Sequence, residues 1–151
     1  MAKILYCEDE TRLRDQTTLE LVSEFPKHKV VSTAIVRDGL AEITGVDIHP
    51  KYLKIISPET IEKRLRDSNA NLSDLGIVIT DGGLIDPFAG AGDSILEGWD
   101  LAQILRNLGY RGKIVYVGLT SAPVGKQSLF DVTLSKFDNQ QIVDYVRKHL
   151  P

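Results

Sequence analysis

A doubly wound α/β domain spanning residues 1–151 is the architecture this sequence predicts, on three observations. Short apolar runs recur along the chain: Lys3–Cys7, Lys29–Ile35, Gly76–Thr80, Lys113–Leu119 and Asp131–Ser135. Helical patterns lie between them, and such alternation reads as buried parallel strands joined by crossover helices. Chemistry-bearing residues then stand where four of the runs stop: Glu8-Asp9, Asp81, Thr120 and Lys136. In an open parallel sheet, ligands bind beyond the carboxyl ends of the strands, where the strand order reverses. The four strand ends are therefore expected to converge on one site holding three carboxylates, a hydroxyl and an ammonium, an inventory suited to Mg²⁺ and a phosphoryl group.

After the first strand, Glu10 to Phe25 carries Leu13, Thr17, Leu21 and Phe25 at helical spacing, and Pro26 stops that helix. A second strand covers Lys29–Ile35. From Val36 to Ser57 no element is assigned, because Gly39, Gly45 and Pro50 interrupt the pattern; Tyr52–Ile56 is a candidate short strand, and a hairpin extending the second strand is the expectation here. Ser57-Pro58-Glu59 then combines a hydroxyl N-cap, a proline at the first helical position and an acid in the first turn, predicting a helix to about Asp67. The third strand ends at Asp81. Asp86–Glu97 reads as loop, with Pro87, Gly90 and Gly92, and Gly98–Asn107 as a helix closed by Gly109. The fourth strand follows, then at most a short helix within Pro123–Phe130, the fifth strand, and an amphipathic helix over Asn139–Leu150.

Composition removes several function classes. Hydrophobic content of 42% and charged content of 26% are those of an ordinary globular chain that can bury a core. A formal net charge of −3 provides no general attraction to nucleic acid or anionic lipid. No run approaches the roughly 20 apolar residues of a membrane helix, and the N-terminus lacks a signal-peptide plan. Cys7 is the only cysteine, so no intrachain disulfide forms and a small buried hydrophobe is its expected role. A cytoplasmic location is expected from these features.

With those residues in that order, the chain resembles the receiver domain of two-component response regulators over essentially its whole length. The resemblance implies the flavodoxin-like strand order 2-1-3-4-5; the segments before and after strand 3 are longer than is usual in the family and are expected to be insertions. Position by position, the acidic pair after strand one corresponds to Glu8 and Asp9, the phospho-acceptor to Asp81, and the residue whose backbone carbonyl meets the metal to Gly83. The switch hydroxyl corresponds to Thr120 and the lysine after strand five to Lys136. It further implies Mg²⁺ held by Asp9 and Asp81 directly, Glu8 through water and Gly83 through its carbonyl. Phosphoryl transfer demands chiefly such positioning and charge neutralisation. The implied partners are a sensor histidine kinase or histidine phosphotransfer protein, meeting the first helix near Thr11-Arg12-Leu13, and a downstream protein meeting residues 123–150. With no output domain after the fifth helix, a stand-alone receiver is expected: a phospho-acceptor and not an enzyme in the usual sense.

Two positions depart from the family's pattern. Phe137 stands where receivers usually carry proline after the lysine, and Thr133 stands where many carry an aromatic switch. These departures favour one rival, a phosphorylation-independent interaction module; a second rival is a phosphatase of small substrates. Asp81-Gly82-Gly83-Leu84-Ile85-Asp86 imitates a dehalogenase-type phosphatase motif, but Ile79 occupies the nucleophile position. Gly118–Ser128 imitates a P-loop with the wrong spacing, and Gly90-Ala91-Gly92 lacks the third glycine of a dinucleotide fingerprint. His28, His49 and His149 show no ligand spacing. The segment from Asp86 to Glu97 leaves the strand bearing Asp81. It is expected to cover the site, with Asp86 or Asp93 reaching the metal or a partner.

Overall fold

In the computed structural model, which describes residues 1–49, 53, 55–84, 86, 92–93 and 95–151, five parallel strands form one sheet in the order β2-β1-β3-β4-β5. The strands are β1 (Lys3–Cys7), β2 (Lys29–Thr33), β3 (Leu75–Asp81), β4 (Lys113–Gly118) and β5 (Val132–Ser135). Every neighbouring pair runs parallel, so each connection must cross over the sheet. The helices are α1 (Thr11–Glu24), α2 (Val36–Thr44), α3 (Pro58–Asp67), α4 (Gly98–Asn107) and α5 (Asn139–His149). This is the flavodoxin-like arrangement expected from the sequence.

Side-chain alternation along the strands divides the interior into two layers. Leu5, Cys7, Val31, Val78 and Ile114 face α2, α3 and α4 through Leu40, Ile43, Ile61, Leu65, Leu101 and Leu105. Ile4, Tyr6, Ile77, Ile79, Val115 and Val117 face α1 and α5 through Leu21, Ile142, Val143 and Val146. Strand β3 is buried along its whole length, as the central strand of a sheet covered on both faces. Cys7 lies in this interior as a free thiol that burial pushes up to about 12.

The stretch after β2 corrects the expected hairpin. Val36–Thr44 is a helix whose Val36, Leu40 and Ile43 are buried on one side. Gly39 does not break it. A Cβ there would lie 2.9 Å from Thr33 Cγ2 and 3.1 Å from Leu5 Cδ1, so glycine lets the helix seat against the sheet. Gly45, at φ +73°, takes the left-handed conformation that ends the helix. The candidate strand over Tyr52–Ile56 falls partly outside the described residues. The cap before α3 is as expected: Ser57 Oγ accepts from the Thr60 amide at 3.2 Å, and Thr60 Oγ1 accepts from the Ser57 amide at 2.9 Å. Between β4 and β5 the regular structure is one 3₁₀ turn, Gln127–Leu129. Among the described residues, no helix is long and apolar enough to cross a membrane.

Candidate functional site

The carboxyl ends of β1, β3 and β5 bring four of the expected residues together. Glu8 follows β1, and its amide still donates to Thr33 O at 3.0 Å, so the chain remains strand-like there. Its carboxylate is wholly buried. Oε1 accepts from the Glu10 amide at 3.1 Å and lies 3.6 Å from Lys136 Nζ. Oε2 is buried with no hydrogen-bond partner among the described residues. Asp81 ends β3, accepting the Gly82 amide on Oδ1 at 2.7 Å and Lys136 Nζ on Oδ2 at 3.1 Å. One carboxylate oxygen from each of Glu8, Asp9 and Asp81 falls within 4.8 Å of the others. Lys136 reaches this cluster although Phe137, not proline, follows it.

The electrostatics follow from that crowding. Burial raises the Glu8 pKa, the Glu10 amide opposes the rise, and the charge of Asp81 reinforces it, leaving Glu8 at about 7. For Lys136, burial lowers the pKa, but the hydrogen bond to Asp81 and the charges of Asp81, Glu8 and Asp9 outweigh it and raise the value overall. The ammonium therefore stays charged. Three carboxylates against one ammonium, with a buried oxygen left orphaned, form a donor set that a small divalent cation with oxygen preference fits.

A pH dependence follows with a definite sign. Below about 4.5, the ordinary value, Glu8 is neutral whether folded or unfolded; between that value and about 7 the folded chain keeps a proton that the unfolded chain has lost. Folding stability contributed by this group is thus lost as pH rises through the window, and a cation held there would offset the loss. Thermal melts with and without Mg²⁺ should show a small rise in Tm at pH 5 and a clearly larger one at pH 8. An equal rise at both pH values would contradict this account of Glu8.

The remaining expected residues are placed differently. Gly83 is exposed, with open space where a Cβ would stand. Thr120 is exposed two residues beyond Gly118, the end of β4, and no hydrogen bond joins it to Asp81 or Lys136 among the described residues. The strand was expected to run through Leu119, with Thr120 where it stops. Instead β4 stops level with β3, where Asp81 pairs with Val117, and the Tyr116 ring lies against Gly118. Thr133 is exposed on the edge strand β5, paired with Tyr116.

Tyr116 and Glu97, with Trp99 beside Tyr116, stand near the site without a sequence motif that marks them. A Cβ on Gly82 would lie 2.4 Å from Tyr116 Oη and 3.0 Å from Trp99 Cζ3, so Tyr116 and Trp99 wall the residue after Asp81. Tyr116 also meets Phe130 edge-on, ring centres 5.0 Å apart. Glu97 precedes α4 and accepts the Leu84 amide on Oε2 at 3.2 Å. Its pKa is raised by burial first, and further by the charges of Asp100, Asp81 and Asp9, against the lowering by Leu84. Only the register of β3 on β4 and the return of the chain to Asp81 at Gly98 bring these two residues in.

The expectation that Asp86 or Asp93 serves the metal meets another use of both. Asp86 Oδ2 accepts Nε and Nη2 of the buried Arg37 at 3.1 and 2.9 Å. Asp93 Oδ1 accepts the Ile56 amide at 2.7 Å. Both carboxylates brace the segment after β3 against the segment between β2 and α3.

No protein-family model matches the chain, and no curated protein matches it in sequence. Solved structures do match in shape. A CheY-like response regulator receiver domain protein from Methanospirillum hungatei superposes with a TM-score of 0.60 at 18% identity, covering 98% of this chain and 92% of that one. The Vibrio cholerae chemotaxis protein CheY4 gives 0.61 at 15% identity, with 99% of each chain covered. A Thermotoga maritima response regulator, solved in complex with Mg²⁺ and beryllofluoride, gives 0.58 at 20% identity, covering 99% of this chain and 100% of that one. In strand order, in layering and over nearly its whole length, the chain has the CheY-like fold of response regulator receiver domains.

Proposed function

We propose that this chain is a phospho-accepting receiver in two-component or phosphorelay signalling, with Asp81 as the acceptor. The observation that carries the reading is the Lys136 ammonium 3.1 Å from Asp81, beside a three-carboxylate cluster that contains an orphaned buried oxygen. The donor is a phosphohistidine on a sensor kinase or histidine phosphotransfer protein. A carboxylate oxygen of Asp81 attacks phosphorus as the phosphorus–nitrogen bond breaks, leaving an acyl phosphate and an imidazole that takes up a proton.

Asp9, Asp81, Glu8 and the Gly83 carbonyl are the groups that would hold Mg²⁺. The ion would supply positive charge against the phosphoryl oxygens and against the carboxylates themselves. Lys136 acts as a point charge on a phosphoryl oxygen. Thr120 meets such an oxygen only if the segment after Gly118 moves inward, and that movement would carry the signal to the surface over residues 123–150.

The expected binding signal comes from Trp99, the only tryptophan, which stands against Gly82. Its fluorescence should change on adding Mg²⁺ with beryllofluoride, and the change should disappear in Asp81→Asn. If the wild-type protein binds neither Mg²⁺ nor beryllofluoride, the reading fails and a phosphorylation-independent interaction module takes its place.

A further inference from the structure

We infer that Glu97 is a positioning residue for the proposed metal site: its carboxylate fixes the peptide whose other end is the Gly83 carbonyl. This rests on the receiver reading above and extends it to a residue that reading does not use.

The Gly83–Leu84 peptide carries both groups. Its N–H, on Leu84, donates to Glu97 Oε2 at 3.2 Å and to Gly82 O at 3.1 Å. In a trans peptide the N–H and C=O point in opposite directions, and no cis bond occurs among the described residues. Whatever holds the Leu84 N–H therefore also aims the Gly83 C=O. Gly83 itself has open space around its Cα and contributes no side chain of its own to fix the turn. A hydrogen bond to an anion is stronger than one to a neutral acceptor, and it polarises the peptide so that its carbonyl oxygen becomes a better ligand for a cation.

Glu97 is itself held in place. Its amide donates to Asp100 Oδ2 at 2.7 Å in the first turn of α4. The next residue, Gly98, donates its amide to Gly82 O at 2.9 Å. Two hydrogen bonds thus join the start of α4 to the turn after Asp81, one on Gly82 and one on Leu84. They tie the two described ends of the long segment between Leu84 and Glu97 to each other and to the turn after Asp81.

The test is a calorimetric Mg²⁺ titration at pH 8 of the full chain as wild type, Glu97→Gln and Glu97→Ala, with the Leu84 amide followed by NMR. Glutamine keeps an acceptor for the Leu84 N–H, whereas alanine removes it. The alanine variant should bind Mg²⁺ about tenfold more weakly, the usual scale for losing a group that orients a ligand. The glutamine variant should recover most of that loss, and the Leu84 amide shift should move in Ala and stay near wild type in Gln. Wild-type affinity in both variants would overturn the inference. So would an equal loss in both, because charge alone would then account for it; if Ala does not fold, a loss of about tenfold in Gln, with the Leu84 amide shift unmoved, overturns it alone. Failure of the wild-type protein to bind Mg²⁺ would instead overturn the metal reading on which the inference rests.

Discussion

Gly98→Ala should lower the stability of the metal-free protein by about 3 kcal/mol, the upper part of the range for forcing an extra carbon into a filled site. The new Cβ would fall 1.9 Å from the Asp81 carbonyl oxygen and 2.8 Å from Thr80 Oγ1. The obstacle is backbone, so no rotamer change relieves it. Either α4 backs away from the sheet, or the end of β3 shifts and takes the Asp81 carboxylate with it. Urea denaturation of the variant measures the first cost. Mg²⁺ affinity, weakened by about tenfold or more, measures the second. Wild-type values for both would mean that α4 does not sit against the Asp81 backbone.

Lys136→Met should do two separable things. Phosphoryl uptake from a small donor should fall by about 100-fold or more, the scale for removing a charged group aimed at the transferred group's oxygens. The metal-free protein at pH 8 should also lose about 3 kcal/mol, the lower end for breaking a buried ion pair by deleting one partner. The lower end applies because the Lys136 side chain keeps 16% of its exposure. Its departure leaves Asp81 and the wholly buried Glu8 without a cationic partner among the described residues. That second loss should shrink at pH 5, where Glu8 holds its proton, and should shrink again on adding Mg²⁺. A pH-independent loss would assign Lys136 a packing role through its aliphatic stem.

Strand ends made much of this site legible in advance. Glu8, Asp9, Asp81 and Lys136 each follow an apolar run, and a parallel sheet must bring the carboxyl ends of such runs to one edge. The meeting of the three carboxylates with Lys136 therefore needed no long-range information beyond strand order. Thr120 shows the limit. The apolar run through Leu119 suggested a strand one residue longer than β4, and only the pairing with the neighbouring strands, Asp81 with Val117 and Ser135 with Gly118, shows where that strand stops. Helix α2 was hidden for a related reason. Gly39 reads locally as a breaker, yet its value is a close approach to Leu5, from a strand distant in the chain, and to Thr33 at the end of the strand just before it. Tyr116 and Glu97 were hidden because each serves the site from an element with a sufficient local explanation, one as a strand residue and one as the residue before a helix.

On the proposed function, Asp81 accepts a phosphoryl group in a site built by Glu8, Asp9 and Lys136. The most direct measurement is intact mass after incubating the protein with acetyl phosphate and Mg²⁺, under rapid quenching, beside Asp81→Asn. One phosphoryl group should be added to the wild-type protein, absent without Mg²⁺ and absent in the variant. An adduct that persists in Asp81→Asn, or no adduct in the wild-type protein under conditions where Mg²⁺ binds, would contradict that function.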